Sequence, residues 1–260
     1  MDLGLEDKTA LVTGGAGRLG SEDCKQLAAE GAEVVVLDVD EDGARAVVDD
    51  IASSDVPGEA MAVECDLTDR NDVAATVETV AEETGGIDVL VNNAGFVDAA
   101  ARIEEFPDAL WDRDLELNLT GVYNVTKEVF PRMKERGWGR IITMSSITAQ
   151  GGGFAQVSYS TTKAGLVGFG KTLALEGAKY GITSNVLTPN IVVGDLADMS
   201  PDELEQFNPQ FERIRQATPM KELGRESDVA PLICFLASDH ARYITGQVIG
   251  VTGGADLFSF

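Results

Sequence analysis

The chain has 260 residues, 44% of them hydrophobic, and a formal net charge of −24. This length fits one large α/β domain or two small ones. The charge excludes nucleic acid and anionic membranes as expected partners, because both are polyanions. The acidic residues are spread along the chain, which suits either an ordinary acidic protein or one from a high-salt cytoplasm.

Targeting and metal signals are weak in this sequence. It has no apolar run long enough for a membrane span and no basic segment followed by an apolar core near residue 1, so we expect neither a span nor a signal peptide. Cys24, Cys65 and Cys234 are far apart, which predicts free thiols in a reducing cytoplasm. His240 is the only histidine. We therefore expect no metal site and no Ser/His/Asp triad.

The first part of the chain predicts a nucleotide-binding unit. Residues 8–13 form an apolar strand pattern, 14–20 a glycine-rich turn, 21–30 a helical pattern and 32–38 a second strand. Amide groups at the start of such a helix can hold a pyrophosphate. Asp38 ends the second strand, where a carboxylate accepts hydrogen bonds from ribose hydroxyls and repels a 2′-phosphate. This predicts NAD rather than NADP as the cofactor.

Strands and helices continue to alternate through the rest of the chain. Further helices are predicted at 41–53, 70–84, 107–119, 120–136, 159–178 and 226–238, and further strands at 60–65, 87–91, 140–144, 181–189 and 247–251. Such alternation is typical of parallel βαβ units. We therefore predict a single α/β domain over 1–260, of Rossmann type, with a doubly wound parallel sheet of about seven strands flanked by helices.

Residues 190–224 have no strand pattern. Ser200 and Glu203, with a proline between them, form a capping box that predicts a short helix. Segments this long between core elements are often functional. We predict a substrate lid here.

Three side chains in the second half of the chain could carry proton transfer. Tyr159 and Lys163 are four residues apart, so a helix would place them on one face. The pKa of a phenol is about 10, and a neighbouring ammonium favours the ionised form. Ser146 follows the strand 140–144, at the sheet edge where α/β proteins bind ligands. Its hydroxyl could bind the same substrate oxygen that Tyr159 protonates or deprotonates.

Together these features resemble the classical short-chain dehydrogenase/reductase family over essentially the whole chain. The residues that carry the resemblance are Thr13 and Gly14 to Gly20, Asp66-Leu67, Asn92-Asn-Ala-Gly95, Asn118, Ser146, Tyr159-x-x-x-Lys163 and Pro189. The serine of that family lies thirteen residues before the tyrosine, which selects Ser146 over Ser145. The resemblance implies hydride transfer between a nicotinamide cofactor and a carbonyl or alcohol carbon.

The resemblance also implies roles for individual residues. Tyr159 would be the general acid/base and Ser146 would hold the substrate oxygen. Lys163 would bind the nicotinamide ribose and lower the pKa of the tyrosine, while Asn118 would anchor a water that passes the proton to solvent. The implied cofactor-binding residues are Gly14, Gly17, Arg18, Leu19, Gly20, Asp38, Asp66, Leu67, Asn93, Ala94, Gly95, Tyr159, Lys163, Pro189, Ile191 and Val192. The family is commonly tetrameric, so a homotetramer is expected.

Some positions depart from the family pattern. Arg18 stands where a glycine is usual, and it could reach a cofactor phosphate as in pteridine-reductase-like members, which keeps NADP open. Asp38 still favours NAD, because its carboxylate would be desolvated beside a 2′-phosphate. Asn190, Gly194 and Thr252 also depart, and none of them belongs to the proton-transfer set.

The expected substrate is a cyclic or medium-sized secondary alcohol or ketone, with NAD(H) as the redox partner. The predicted pocket residues are Leu196, Met199, Phe207 and Phe211 of the lid, with Phe96, Val97, Ile147, Phe154 and Val157 from other loops. Alternatively, the lid aromatics pack on one another.

Three other functions stay open. One is reduction of a 3-oxoacyl thioester. Gly137 and Tyr180 stand where carrier-protein reductases have arginines, so a CoA ester, served by Arg213 or Arg215, is favoured over a carrier protein. A sugar or polyol dehydrogenase would need a more polar lid. The last alternative is a non-catalytic NAD-binding scaffold.

Overall fold

The structure is a computed structural model that describes residues 1–97 and 100–257. Those residues form one parallel sheet in the order β3-β2-β1-β4-β5-β6-β7. Its strands are β1 (Thr9–Thr13), β2 (Glu33–Asp38), β3 (Ala60–Glu64), β4 (Val89–Asn92), β5 (Gly139–Met144), β6 (Ile182–Pro189) and β7 (Val248–Val251). The strand order reverses between β1 and β4, the point at which doubly wound sheets bind ligands. The predicted single-domain α/β fold is confirmed.

Helices cover both faces of the sheet. They are α1 (Arg18–Ala29), α2 (Glu41–Ser53), α3 (Arg70–Glu83), α4 (Asp108–Leu115), α5 (Val122–Arg136), α6 (Thr148–Gly151), α7 (Val157–Gly177), α8 (Pro201–Phe207), α9 (Pro209–Ala217) and α10 (Ala230–Ala237). Several start at side-chain caps: Asp40 accepts from the amide of Gly43, and Asp69 from those of Asn71 and Asp72. None of the helices in the described ranges is long and apolar enough to cross a bilayer.

The core lies in two layers, one on each face of the sheet. One layer joins α1, α2 and α10 through side chains such as Leu27, Val47 and Ile233. The other joins α3 and α5 to the sheet through side chains such as Val77 and Val129. All five residues of β1 are buried, as expected for a central parallel strand covered on both sides.

Element boundaries differ from the prediction in several places. Helix α1 begins at Arg18, not at residue 21, so the glycine turn leads directly into the helix. The helices predicted at 107–119 and 120–136 are α4 and α5, joined by a π-helical segment, Glu116–Gly121. The helix predicted at 226–238 is a 3₁₀ turn, Glu226–Asp228, followed by α10. Val229 lies between the two, and Pro231 is in the first turn of α10, where its missing amide hydrogen is tolerated.

The segment 190–224 is more ordered than the sequence predicts. It holds the 3₁₀ turn Gly194–Asp198, then α8 with the predicted capping box at Ser200, and then the unpredicted helix α9. Val193, Leu204 and Leu223 form a small hydrophobic cluster within the segment.

One carboxylate lies inside the core. Asp23 on α1 is fully buried, and neither of its carboxylate oxygens has a hydrogen-bond partner among the described residues. Burial, and secondarily the charge of Glu22, raises the pKa of Asp23 well above its ordinary value of 3.8. A buried acid without a partner is more stable in its protonated form.

We predict that Asp23→Asn makes the protein more stable, with a gain that grows as pH rises. In the unfolded chain Asp23 ionises above pH 3.8, whereas the folded protein keeps the proton, so the unfolded state binds fewer protons. The free energy of unfolding of the wild type therefore falls by up to about 1.4 kcal/mol per pH unit until the folded pKa is reached. Asparagine has a similar shape but does not ionise, so position 23 of the variant adds no pH dependence to the free energy of unfolding.

Urea denaturation between pH 5 and pH 8 at constant ionic strength measures this difference. Asp55→Asn, at an exposed position, is the control and should follow the wild type. Parallel stability curves for Asp23→Asn and the wild type would contradict the prediction.

Candidate active site

A cleft of about 1470 Å³ opens at the carboxyl ends of the central strands. It is larger than the roughly 300–1,000 Å³ of a typical small-molecule site, so a dinucleotide and a small substrate fit side by side. Every predicted site residue lines it except Gly20 and Asn118. The lining set is Gly14, Gly17, Arg18, Leu19, Asp38, Asp66, Leu67, Asn93, Ala94, Gly95, Ser146, Tyr159, Lys163, Pro189, Ile191 and Val192.

The glycine turn presents the start of α1 to this cleft. Gly14 has a φ of +65°, and a Cβ there would lie 2.8 Å from the Cα of Ala94, so the position requires glycine. Gly20 lies behind the turn, against the carbonyl of Gly14. Gly17 is the N-cap of α1. No side chain caps this end of the helix, and the first turn of the helix contains no acidic residue. The amides there fit an anion such as a pyrophosphate.

Asp38 ties the glycine turn to the end of β2. Its Oδ2 accepts from the amide of Ala16 at 2.9 Å, and its Oδ1 accepts from that of Asp40 at 3.0 Å. Each carboxylate oxygen has a further lone pair. Asp38 can therefore hold the turn and still accept a hydrogen bond from a ligand in the cleft.

Hydrogen bonds fix the side chains of Asn93 and Asp66. The Asn93 amide donates to the carbonyls of Thr13 and Gly14 at 3.2 and 3.1 Å. Asp66 accepts from the amide and hydroxyl of Thr68 at 2.9 and 2.7 Å. Both lie on the cleft wall as predicted.

The three proton-transfer residues meet at the end of β5. The hydroxyl of Ser146 is hydrogen-bonded to the phenol of Tyr159. The Nζ of Lys163 lies 5.6 Å from the centre of the Tyr159 ring and donates to the carbonyl of Met144 at 2.8 Å. The neighbouring Ser145 instead donates to the carbonyl of Lys163 at 2.7 Å and so anchors α7 to the strand. Ser146 is thus the serine whose hydroxyl meets the phenol.

The expected lowering of the tyrosine pKa does not occur in the protein alone. Burial raises the pKa of Tyr159, and the hydrogen bond from Ser146 only partly opposes this. Burial also lowers the pKa of Lys163 to about 8, so its ammonium becomes partly neutral just above physiological pH. Desolvation of both groups therefore outweighs the attraction between phenolate and ammonium on which the sequence expectation was based.

Asn118 lies in the π-helical segment, and its amide makes two backbone contacts. Its Oδ1 accepts from the amide of Phe96 at 2.9 Å, and its Nδ2 donates to the carbonyl of Phe96 at 3.0 Å. A Cβ on Gly95 would lie 2.9 Å from the Asn118 oxygen and 3.0 Å from the Lys163 nitrogen. Asn118 therefore holds the loop after β4 close to Lys163 from behind the cleft wall. Single π turns often mark functional sites.

A buried contact beside Tyr159 was not predicted. The hydroxyl of Ser158 donates to the carboxylate of Asp114, and each residue is 1% exposed. The contact fixes the first turn of α7 against α4, next to the phenol. No sequence pattern indicates this contact, because an aspartate in an amphipathic helix normally marks an exposed face.

Arg18 makes contacts across the mouth of the cleft. Its Nε and Nη2 donate to Oε1 of Glu226 at 3.0 and 2.5 Å, and Nη2 also donates to the carbonyl of Val192 at 3.0 Å. Glu226 lies in the same cleft wall. The arginine that could reach a cofactor phosphate is therefore paired with a carboxylate that sequence analysis did not identify.

The predicted apolar pocket is present only in part. Phe96, Val97 and Phe211 line the cleft, whereas Ile147, Phe154 and Val157 are not among its described lining residues. Leu196 and Met199 pack into the cluster of the 190–224 segment, and Phe207 stacks on Phe211 at 6.4 Å between ring centres. The lid aromatics therefore pack on one another, and one of them, Phe211, also lines the cleft.

Cations near the pocket are also arranged differently from the expectation. Arg215 forms an ion pair with Glu212 at 2.7 Å. Arg113 instead lines the cleft, 4.7 Å above the Phe96 ring. Within 1–97 and 100–257, no three histidine, cysteine or acidic side chains are grouped as metal ligands.

Comparison with known proteins gives consistent matches over the full length. A family model described as enoyl-(acyl carrier protein) reductase matches residues 16–256. The 3-oxoacyl-[acyl-carrier-protein] reductase FabG of Staphylococcus aureus is 37% identical over 95% of this chain and 97% of its own. The (2S)-[(R)-hydroxy(phenyl)methyl]succinyl-CoA dehydrogenase subunit BbsD of Thauera aromatica is 34% identical over 99% of this chain and all of its own.

Solved structures agree with the sequence matches. NAD⁺-bound xylitol dehydrogenase superposes with a TM-score of 0.88 at 28% identity, over 96% of this chain and 100% of the other. Levodione reductase also superposes with a TM-score of 0.88, at 30% identity over 97% of this chain and 98% of the other. The chain therefore belongs to the short-chain dehydrogenase/reductase family of oxidoreductases.

Proposed function

We propose that this protein interconverts a secondary alcohol and a ketone with NAD(H). The observation that carries the proposal is the meeting of the Ser146 hydroxyl, the Tyr159 phenol and the Lys163 ammonium in one cleft with the uncapped start of α1. That combination offers a proton donor beside a place for an anionic dinucleotide.

The mechanism follows from the state of each group. A nicotinamide dinucleotide bound in the cleft would supply or accept the hydride. In the reducing direction Ser146 holds the substrate oxygen and Tyr159 donates a proton to it. The raised pKa of Tyr159 keeps the phenol protonated at neutral pH, which suits this direction. Lys163 would hold the nicotinamide ribose, and Asn118 would hold a water through which Tyr159 regains its proton from solvent.

NAD is the proposed cofactor, and NADP is disfavoured. The Asp38 carboxylate lies on the cleft wall, where it would accept from ribose hydroxyls and repel a 2′-phosphate. The ion pair with Glu226 offsets the charge of Arg18, so Arg18 does little to counter the repulsion between Asp38 and a 2′-phosphate. The similar xylitol dehydrogenase structure is described as NAD⁺-bound, which supports the same choice.

A 3-oxoacyl-thioester reductase is the second candidate. The relatives named for acyl-carrier-protein and CoA substrates favour it. One surface feature does so too: Lys134 and Lys179 lie 4.6 and 4.9 Å from the centre of the Tyr180 ring. Tyr180 stands where carrier-protein reductases have an arginine, so two lysines restore positive charge there. A carrier protein is thus a stronger alternative than the sequence alone suggests.

We also propose a cytoplasmic homotetramer. Leu175 on α7 is 83% exposed and Tyr243 before β7 is 93% exposed, near the elements through which the family pairs its subunits. Isolated exposure is ordinary, but α7 also exposes Ala164, Gly165 and Gly168, which allow close helix packing. All three cysteines are free and buried, which suits a reducing compartment.

Oxidation of NADH and NADPH at 340 nm against a substrate panel tests the function. The panel contains cyclic ketones and diketones, 3-oxoacyl-CoA and 3-oxoacyl carrier protein esters, with polyols assayed in the reverse direction, at low and molar salt. We expect turnover of a ketone with NADH. Turnover of thioesters alone would select the second candidate, and polyol oxidation alone a polyol dehydrogenase. NADH binding without any turnover would select the scaffold.

We predict that Tyr159→Phe lowers turnover by about 10²–10⁴-fold, the usual contribution of a general acid. NADH affinity should stay within about twofold, because the ring is kept and only the hydroxyl is lost. Tyr123→Phe, which removes a partly exposed hydroxyl on α5, is the matched control and should keep full activity. Substantial residual turnover in Tyr159→Phe would assign proton transfer to another group.

We predict that Asp38→Asn lowers the preference for NADH over NADPH, measured as a ratio of kcat/KM, by about tenfold. The change removes the charge that repels a 2′-phosphate but keeps an oxygen for the amides of Ala16 or Asp40. Asp42→Asn, an exposed acid on α2, is the control. An unchanged ratio in Asp38→Asn would mean that another group sets the preference.

A further inference from the structure

We propose that Glu226 weakens dinucleotide binding by acting as the counter-ion of Arg18, the cation that contacts the dinucleotide phosphates. The proposal rests on the proposed function only in requiring a nucleotide with phosphates in the cleft. It gives a role to a carboxylate that lies 208 residues from Arg18 in the sequence.

The first argument is position. Arg18 is the first residue of α1, and the amide groups of that turn are the anion site of the cleft. Its side chain is therefore rooted beside the place where a pyrophosphate fits. Guanidinium groups bind phosphate well, because they offer five donors in a planar fork.

The second argument is the use of those donors. Nε and Nη2 donate to Glu226 and to the carbonyl of Val192, while Nη1 has no hydrogen-bond partner within residues 1–97 and 100–257. The Arg18 side chain is 61% exposed, whereas that of Glu226 is 15% exposed. The guanidinium can thus reach a ligand through Nη1 while the carboxylate holds its other edge.

The third argument is charge. A helix start and an arginine both attract phosphate, but Glu226 adds a largely desolvated negative charge to the same wall. Gly194 allows the Glu226 carboxylate to lie close to the chain at this point, since a Cβ on residue 194 would be 3.2 Å from a Glu226 oxygen. The carboxylate both orients the arginine and cancels its charge. Replacing it with an amide keeps an acceptor for orientation and removes the cancelling charge.

Glu226→Gln should therefore bind NADH and ADP about fivefold more tightly, as measured by calorimetry. Adenosine, which has no phosphate, should bind with unchanged affinity. Arg18→Gln should weaken NADH and ADP binding and leave adenosine unaffected. The dependence of log Kd on log salt concentration should become steeper in Glu226→Gln, which removes a negative charge beside the phosphates, and flatter in Arg18→Gln, which removes a positive charge there.

Asp195→Asn is the matched control, since Asp195 is an exposed carboxylate next to Gly194 with no contact to Arg18 among the described residues. It should bind ADP as the wild type does. The proposal is overturned by unchanged or weaker ADP binding in Glu226→Gln, by an equal gain for adenosine, or by an equal gain in Asp195→Asn. It is also overturned if Arg18→Gln binds ADP normally.

The same titrations separate this inference from the proposed function. A wild type that binds NADH but reduces nothing in the panel contradicts the proposed function. The ADP titrations still test the role of Glu226 in that case. A wild type that binds neither ADP nor NADH overturns both.

Discussion

The site depends on a set of hydrogen bonds around Thr13, at the end of β1. Its hydroxyl contacts the carbonyl of Val91 at 3.3 Å and accepts from the amides of Asn93 and Ala94 at 3.1 Å. These bonds join β1 to β4 where the strand order reverses. They bring the glycine turn against Ala94, so the anion site and the loop that approaches Lys163 form one rigid wall. The bonds of Thr13 extend the β1–β4 ladder into the two loops that follow these strands, and so fix the loops relative to each other.

The second half of the cleft depends on how α7 is anchored to β5. Ser145 binds the carbonyl of Lys163, Lys163 binds the carbonyl of Met144, and Ser158 binds Asp114 on α4. These contacts hold α7 at Ser158 and, twice, at Lys163, and leave the helix little freedom to rotate. The same burial that gives this precision desolvates Tyr159 and Lys163. Rigidity and the direction of the two pKa shifts thus have one cause.

Local patterns predicted most of the fold and most of the cleft wall. Strand and helix periods, the glycine turn and the Tyr-x-x-x-Lys spacing are short-range signals, and they placed the cofactor and proton-transfer residues on one edge of the sheet. The pairing of Arg18 with Glu226 and of Asp114 with Ser158 depends on tertiary contacts between distant residues, for which no period exists. The buried Asp23 is similar, because on sequence alone an aspartate in a helix is expected to face solvent.

The segment 190–224 is the part of the chain that sequence patterns predict least well. It has its own cluster of Val193, Leu204 and Leu223, and Val192 at its start packs against one core of the sheet. Most of its packing is therefore local to the segment. Proteins with different names, a 3-oxoacyl-[acyl-carrier-protein] reductase, a xylitol dehydrogenase and a levodione reductase, match this chain over nearly its whole length. Phe96, Arg113 and Phe211 line the same cleft as the motif residues, so under the proposed function they are the side chains at which a substrate would be distinguished.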